Sequence, residues 1–429
     1  MSNRVVKNAS WIIICKIIQS LVGLVVSMLC ARYLGPSGYG AISYAASLVA
    51  FILPLMQLGL RSTLVREIVD EGEGEGVILG TALILNLISS VVCIIGINAF
   101  TLIANAGERE TLVVVSLYST SLLFQAFEIL QLWFQAKLLS KYTSVVSLIA
   151  YLIMSAYRIF LLATDKSIYW FSLSQSIDYL LIAIATIILY KKLSVSRLRF
   201  SPSCAAAMLR RSSPYILSAM MVSVFQQTDR LMLKNMLGDA ATGYYSAAVT
   251  VAGITSFVFA AMIDSARPSI LEGKRSGSDS FERNVSRLYS VIFYLSLVQC
   301  IVMTALAPLL IRIMYGEEYA PAAEALRLVV WYTTYSYFGS VRNIWILAEG
   351  KQKYLWLINL SGAAANVTLN LVLIPCMGIV GAALASLITQ IFTNVVVGFI
   401  IPAIRRNNLL MIKGLNPKHI FDVIRLAGR

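Results

Sequence analysis

The chain of 429 residues contains one histidine, six cysteines and few charges, 13% against about a quarter in soluble domains. A lone imidazole, His419, cannot build a histidine zinc site or a histidine-based catalytic triad. Cys15, Cys30, Cys93, Cys204, Cys300 and Cys376 lack paired spacing and fall mostly in apolar runs. They read as small packing residues, which excludes a disulfide framework. No metal and no cofactor is expected. The apolar runs also lack the strict alternation of barrel strands. The first run is too long for a signal peptide and has no small-residue cleavage site, so no cleavable leader is expected.

What the chain does have is long apolar sequence. Hydrophobic residues make up 58% of it, and mean hydropathy is +0.77. A helix of about 20 apolar residues crosses the hydrocarbon core. Twelve such stretches lie near 9–31, 40–60, 78–104, 111–136, 142–163, 168–190, 213–234, 243–265, 288–314, 324–347, 354–374 and 378–401. Backbone groups in lipid must pair internally, so these stretches are expected to be helices. The fold class is an all-α integral membrane bundle of about 12 transmembrane helices.

Short loops rich in Lys and Arg stay on the cytoplasmic side. With the N-terminus inside, 25 of the 35 Lys and Arg fall on cytoplasmic segments. Both termini are then cytoplasmic, in keeping with an even number of crossings. The net charge of +14 is spread along one membrane face. That points to topology and contact with membrane lipids, and not to nucleic acid.

Two junctions recur. Trp133–Tyr142 and Trp345–Tyr354 share tryptophan, alanine, lysine and tyrosine without a gap. Leu34-Gly35-Pro36 through Gly38-Tyr39 is echoed, with a two-residue gap, by Leu237-Gly238-Asp239 through Gly243-Tyr244. Trp, Lys and Tyr are common at membrane interfaces, but both echoes imply the same break. Duplication is the better reading. It gives an N-terminal lobe at 1–190 (helices one to six), a basic cytoplasmic loop at 191–212, a C-terminal lobe at 213–401 (helices seven to twelve) and a basic cytoplasmic tail at 402–429. A separation of six helices preserves orientation, so the lobes are parallel repeats, an arrangement typical of transporters.

Ionisable groups inside spans are costly and mark function by default. Asp178 lies about ten residues from either end of its helix, roughly 15 Å at 1.5 Å per residue. Glu128 is about eight residues from its cytoplasmic end. Both are candidate coupling or cavity acids, with a structural helix–helix bond as the alternative. Lys16 shares one helical face with Ser20, Gly23 and Ser27. Helix seven has a similar face of Ser223, Gln227, Arg230 and Lys234, with Asp229 adjacent. Such stripes face another helix or a water-filled cavity. Arg61 and Arg66 either rim a cytoplasmic entrance or are ordinary topogenic charges. Arg158, Arg327 and Arg342 lie near helix ends and are expected to snorkel to the interface. Asp264 is expected to cap or pair locally, and the run Glu71–Gly76 to form a flexible acidic loop. Cations beneath an apolar shell suit an anionic, amphipathic substrate such as a lipid-linked diphosphate.

Several segments together resemble bacterial Wzx-type oligosaccharide flippases of the MOP exporter superfamily, which also holds lipid II flippases and MATE drug exporters. They are Lys7-Asn8-Ala9-Ser10, Ala31–Gly40, Gln57-Leu58-Gly59-Leu60 through Arg66-Glu67, and Asp229-Arg230 followed by Leu237-Gly238 and Gly243–Ala248. Tyr315–Ala323 and Gly378–Ala383 complete the set. The resemblance implies a V of two six-helix lobes around a cavity formed by helices one, two, seven and eight. It also implies alternating access, and movement of an undecaprenyl-diphosphate-linked glycan from the inner to the outer leaflet of the bacterial cytoplasmic membrane. Lipid II flippases usually carry two further C-terminal helices, so the polysaccharide branch is expected, with polysaccharide polymerase or assembly proteins as further partners.

On this reading the sugar–diphosphate head passes Arg61 and Arg66. Lys16 and Arg230 hold the diphosphate while Gln19, Gln226 and Gln227 meet the sugars. Glu128, Asp178 and Asp229 are the cavity acids, and Na⁺ or H⁺ coupling through Asp178 or Glu128 is the alternative role for those two. A cation-coupled MATE-type multidrug exporter is the first rival, and its cavity should be acidic where these stripes are mainly basic. A membrane glycan polymerase or ligase, an enzyme, is the second. It typically needs a long external loop bearing arginines, whereas external connections here are about a dozen residues or shorter. No enzymatic activity is expected.

Overall fold

In a computed structural model, residues 3–70, 74–194, 196–276 and 278–417 are described, the side chains of 3–10, 12, 13, 275, 276 and 278 excepted. Glu71, Gly72 and Glu73 of the acidic run, His419 and the end of the tail lie outside them. The described chain is helical almost throughout, and each of the twelve expected stretches is helical over all or nearly all of its length. Its helices are α1 Asn3–Met56, α2 Leu64–Asp70, α3 Glu75–Ala104, α4 Arg109–Ser119, α5 Ser121–Gln125, α6 Ile129–Ala136, α7 Ser140–Ala163, α8 Ile168–Leu193 and α9 Pro202–Leu237. There follow α10 Asp239–Ala252, α11 Ser256–Ser276, α12 Ser278–Tyr315, α13 Ala322–Ala348, α14 Leu355–Ile391, α15 Val397–Ile400 and α16 Arg405–Gly414.

Among the described residues eight segments are long and apolar enough to cross a membrane, fewer than the twelve expected. The difference has two physical causes. The segments Ile14–Met56 and Gln352–Ile400 each contain two of the expected stretches, joined across non-helical residues at Gly35 and Gly378. The helices α9 and α13 are missing from the eight because polar side chains dilute their apolar character: Ser212, Ser213, Gln226, Gln227, Asp229 and Arg230 on one, Thr333, Thr334, Ser336, Ser340 and Arg342 on the other. Elsewhere large apolar side chains face outward, as lipid requires. Ile103 is 82% exposed and Ile95 64%.

Backbone conformation repeats with the sequence echoes. Gly35 (φ 66°, ψ 176°) and Gly238 (φ 88°, ψ −173°) adopt the same conformation at equivalent positions of the second echo. At the first echo, Leu138 and Gly350 are both left-handed, with φ of 57° and 67°. Their turns close with matching bonds. Leu139 N donates to Phe134 O at 2.7 Å and Lys351 N to Ile346 O at 2.9 Å, while Lys137 N bonds Trp133 O and Glu349 N bonds Trp345 O, both at 3.0 Å. This is the Schellman end of a helix, formed twice. The left-handed pairs Gly107/Gly316 and Asp165/Gly378 extend the series between and beyond them. Leu58 and Gly59, also left-handed, have no counterpart in the second half among the described residues.

By contact the chain forms two compact units, Met1–Ala240 and Ala241–Arg429. In the first, one core gathers Leu60, Leu64, Ile68, Leu79, Trp133, Phe134 and Tyr190. A second gathers Tyr44, Leu48, Met56, Ile97 and Val114. The core of the second unit runs from Phe259 and Phe281 through Tyr289, Phe338 and Trp345 to Leu410.

The basic loop after α8 is docked, not free. Arg199 N donates to Gly76 O (3.1 Å) and Ser201 N to Thr81 Oγ1 (3.1 Å), while Ser196 Oγ bonds Glu75 Oε1 (2.9 Å). Gly76 and Gly80, one turn apart on α3, make the groove that admits it. A Cβ on either would fall well inside 3.0 Å of the backbone of Arg197 or Arg199. Ser201 then caps α9, accepting from Cys204 N, with Pro202 in the first turn. Gly80→Val is therefore expected to expel the loop at a cost of about 1–3 kcal/mol. Trypsin cleavage after Arg197 and Arg199 should accelerate at least tenfold, and an unchanged rate would refute the groove.

Candidate functional site

Every residue proposed from sequence as a cavity or substrate contact lies in the first unit. At its C-terminal end α1 stops at Met56, and Gly59, left-handed at φ 66°, turns the chain. No other residue fits there, because a Cβ would lie 2.6 Å from Ser212 O on α9. The turn sets Arg61 on the short 3₁₀ segment Leu60–Ser62, where its Nη1 donates to Glu128 Oε2 at 3.2 Å. Glu128 reaches it from a 3₁₀ turn between α5 and α6. The structure thus joins two candidates read separately in the sequence. Arg66 is exposed and pairs with Asp70 on its own helix at 3.3 Å, an interaction worth little.

The stripe on α1 divides. Lys16 and Ser20 are exposed, and Gln19 is half-buried. Higher up, Gly23 lets Tyr151 of α7 approach, and Ser27 Oγ meets Tyr39 Oη at 3.1 Å. These line a cavity of about 190 Å³ with Tyr118, Arg158 and Gln175. Arg158 does not snorkel. It donates to Ser174 Oγ (3.0 Å) and Gln175 Oε1 (3.1 Å) on α8. One turn beyond Gln175, Asp178 is buried, and its Oδ1 has no hydrogen-bond partner among the described residues.

The stripe on α9 also divides. Ser223 donates to the carbonyls of Ala50 and Phe51 on α1 (2.8 and 3.2 Å), so it packs against a helix. Gln226 is exposed, Gln227 and Arg230 are half-buried, and Asp229 is buried. Arg230 Nη1 lies 3.4 Å from Gln227 Oε1. Lys234, in the last turn of α9, is 2% exposed and fully engaged. Its ammonium donates to Glu108 Oε2 (2.6 Å), Asp239 Oδ2 (2.6 Å) and Thr111 Oγ1 (3.2 Å). Burial raises the Glu108 carboxyl, but the bonds and charge of Lys234, with Thr111 and Asn105, outweigh it and hold it below its usual value.

In the second unit, the expected snorkelling of Arg342 is corrected. The residue is 5% exposed and its Nη1 donates to Thr393 O at 2.8 Å. Thr393 sits in the π-helical segment Phe392–Val396. Arg327 instead pairs with Glu324 at 2.9 Å, and Asp264 pairs locally with Arg267 at 3.2 Å. A polar cleft of about 450 Å³ is lined by Ser256, Asp264, Arg267, Ser336, Ser340 and Asn343 among others. Sequence reading missed this cleft because single serines in apolar helices carry no motif.

Among solved structures the chain is similar to the lipid II flippase MurJ in an inward-closed conformation. The TM-score is 0.72 at 14% identity, over 94% of this chain and 90% of that one. It is also similar to an inward-facing multidrug resistance MATE family transporter of the MOP superfamily, with TM-score 0.66 at 15% identity over 91% and 95%. A eukaryotic MATE transporter, AtDTX14, gives TM-score 0.63 at 14% identity over 96% and 99%. These likenesses establish the fold. No curated protein matches the sequence. Residues 214–372 match the MatE family. The match that spans more than half of the chain, residues 5–274, is to a family described as polysaccharide biosynthesis protein, and the chain belongs to that family.

Proposed function

We propose that this protein is a flippase that carries an undecaprenyl-diphosphate-linked oligosaccharide from the inner to the outer leaflet of a bacterial cytoplasmic membrane, for surface polysaccharide synthesis. The observation that carries the reading is Lys16. It is an exposed cation within an apolar helix, with no acidic partner among the described residues. A bare ammonium in lipid is costly, and a diphosphate headgroup would pair it. Membership of a polysaccharide family and the MurJ-like fold support the same substrate class.

Arg61 and Arg66 would stand at the entrance, Lys16 and Arg230 would hold the diphosphate, and Gln19, Gln226 and Gln227 would meet sugar hydroxyls. An inside-negative potential assists outward movement of anions by about 2.3 kcal/mol per charge per 100 mV. The matching left-handed turns support two six-helix halves, which would rock by alternating access with both termini in the cytoplasm. Partners would be the lipid-linked glycan, membrane lipids and polysaccharide polymerase or assembly proteins.

A second reading, a cation-coupled multidrug exporter, draws on the MatE match and on the unpartnered Oδ1 of Asp178. One assay separates the two. Protein in liposomes should move a fluorescent undecaprenyl-diphosphate oligosaccharide out of reach of, or into reach of, a membrane-impermeant reagent. Transport of cationic dyes without glycan flipping would favour the exporter. If flipping depends on Na⁺ or pH, Asp178→Asn should remove that dependence.

A further inference from the structure

We propose that the groove between α11 and α12 binds an anionic phospholipid of the inner leaflet, with its phosphate on Arg287 and an acyl chain between the helices. The groove encloses about 600 Å³. Towards one end of the groove α11 and α12 approach closely. There Gly273 packs on Phe281, and Asn284 Nδ2 donates to Ser269 O at 3.3 Å, bridging the walls. Above this bridge the walls are Ala261, Met262 and Ala266 on one side and Leu288 and Val291 on the other. An apolar trough with a polar floor fits a lipid better than a soluble ligand, whose polar groups would find few partners.

Charge decides which lipid. Arg287 lies in the wall, half-buried, and has no hydrogen-bond or ion-pair partner among the described residues. It precedes the ninth apolar stretch by one residue, so it sits where that helix leaves the hydrocarbon and lipid phosphates lie. Exposed Arg283, one turn earlier on the same helix face, adds to the positive potential. The neighbouring acids do not cancel it. Glu282 is held by Arg406 through two bonds of 2.7 and 2.6 Å, and Asp264 pairs with Arg267 in a different cleft. Basic pockets between transmembrane helices on the cytoplasmic side recognise anionic headgroups, whereas a zwitterionic lipid brings its own cation to the guanidinium. The inference is independent of what the protein transports.

The test uses the purified full chain in neutral detergent, titrated with phosphatidylglycerol or phosphatidylcholine of the same acyl chains while thermal unfolding is followed. Phosphatidylglycerol should stabilise the wild type at concentrations at least tenfold lower than phosphatidylcholine. Arg287→Gln should cut that preference below threefold, and Arg283→Gln should leave most of it. Ser265→Trp, which fills the trough and leaves the charge, should weaken both lipids at least fivefold. The proposal is overturned if the wild type shows no preference, if Arg283→Gln and Arg287→Gln act equally, or if Ser265→Trp binds as the wild type does. That last variant decides the matter should Arg287→Gln fail to fold.

Discussion

Lys234→Met is expected to destabilise the protein by about 2–3 kcal/mol, more than any single substitution of the acids around it. Breaking a buried ion pair by removing one member costs roughly 3–5 kcal/mol, because the other charge stays behind unpaired. The lower figure applies here because Glu108 is 46% and Asp239 26% exposed at the side chain, so water relieves part of the loss. Both acids depend on the same ammonium, and Thr111 supplies no charge of its own. Thermal unfolding in detergent measures the effect. A drop no larger than that of Glu108→Gln would show that Asp239 does not need the lysine. The cluster ties the C-terminal end of α9 to the Asn105–Glu108 turn, to Thr111 of α4 and to Asp239.

The same cluster carries a pH signature through Glu108. Its carboxyl is held below its usual value by Lys234 and the surrounding donors, against the opposing effect of burial. A depressed folded-state pKa gives stability that is present in full above the unfolded value, near 4.5 for this group. That stability is lost as pH falls through the lower folded value. The difference in unfolding midpoint between wild type and Glu108→Gln should therefore stay constant from pH 7 to about pH 5 and disappear in more acid solution. A difference that grows on acidification would reverse the sign and remove Glu108 from the pairing.

Much of this architecture could be read before any coordinates. Apolar length located the helices, and two short echoes located equivalent turns whose dihedral angles and hydrogen bonds agree. What could not be read was pairing across the bundle. Arg61 meets Glu128 and Lys234 meets Glu108 at sequence separations of 67 and 126 residues, which only the packing order of the helices fixes. Arg342 was misjudged for a related reason. Its distance from the helix end suited snorkelling, but an acceptor carbonyl in the π-helical segment at Thr393 holds it inside. The docked basic loop did leave a trace. Gly76 and Gly80 stand one turn apart on α3, a spacing that marks close backbone approach, and charge counting passed over it.

Lys16→Ala and Arg230→Ala are each expected to slow glycan flipping by tenfold to a hundredfold while leaving the reconstituted amount unchanged. A hydrogen bond to a charged group contributes about 1.5–3 kcal/mol, and about 1.4 kcal/mol is a factor of ten in rate. The two residues differ in what they leave behind. Lys16 is exposed and has no acidic partner among the described residues, so its removal should cost transport and little stability. Arg230 is half-buried and bonded to Gln227, so its removal also frees an amide and should lower the unfolding midpoint slightly. Lys16→Arg keeps the charge and should retain at least a third of the wild-type rate. Arg312→Gln, an exposed residue paired with Glu317 at 2.8 Å, should flip as the wild type does. Flipping that survives both alanine substitutions would leave the fold and family intact but move the diphosphate site elsewhere. A loss reproduced by Arg312→Gln would mean that net charge, and not these two positions, sets the rate.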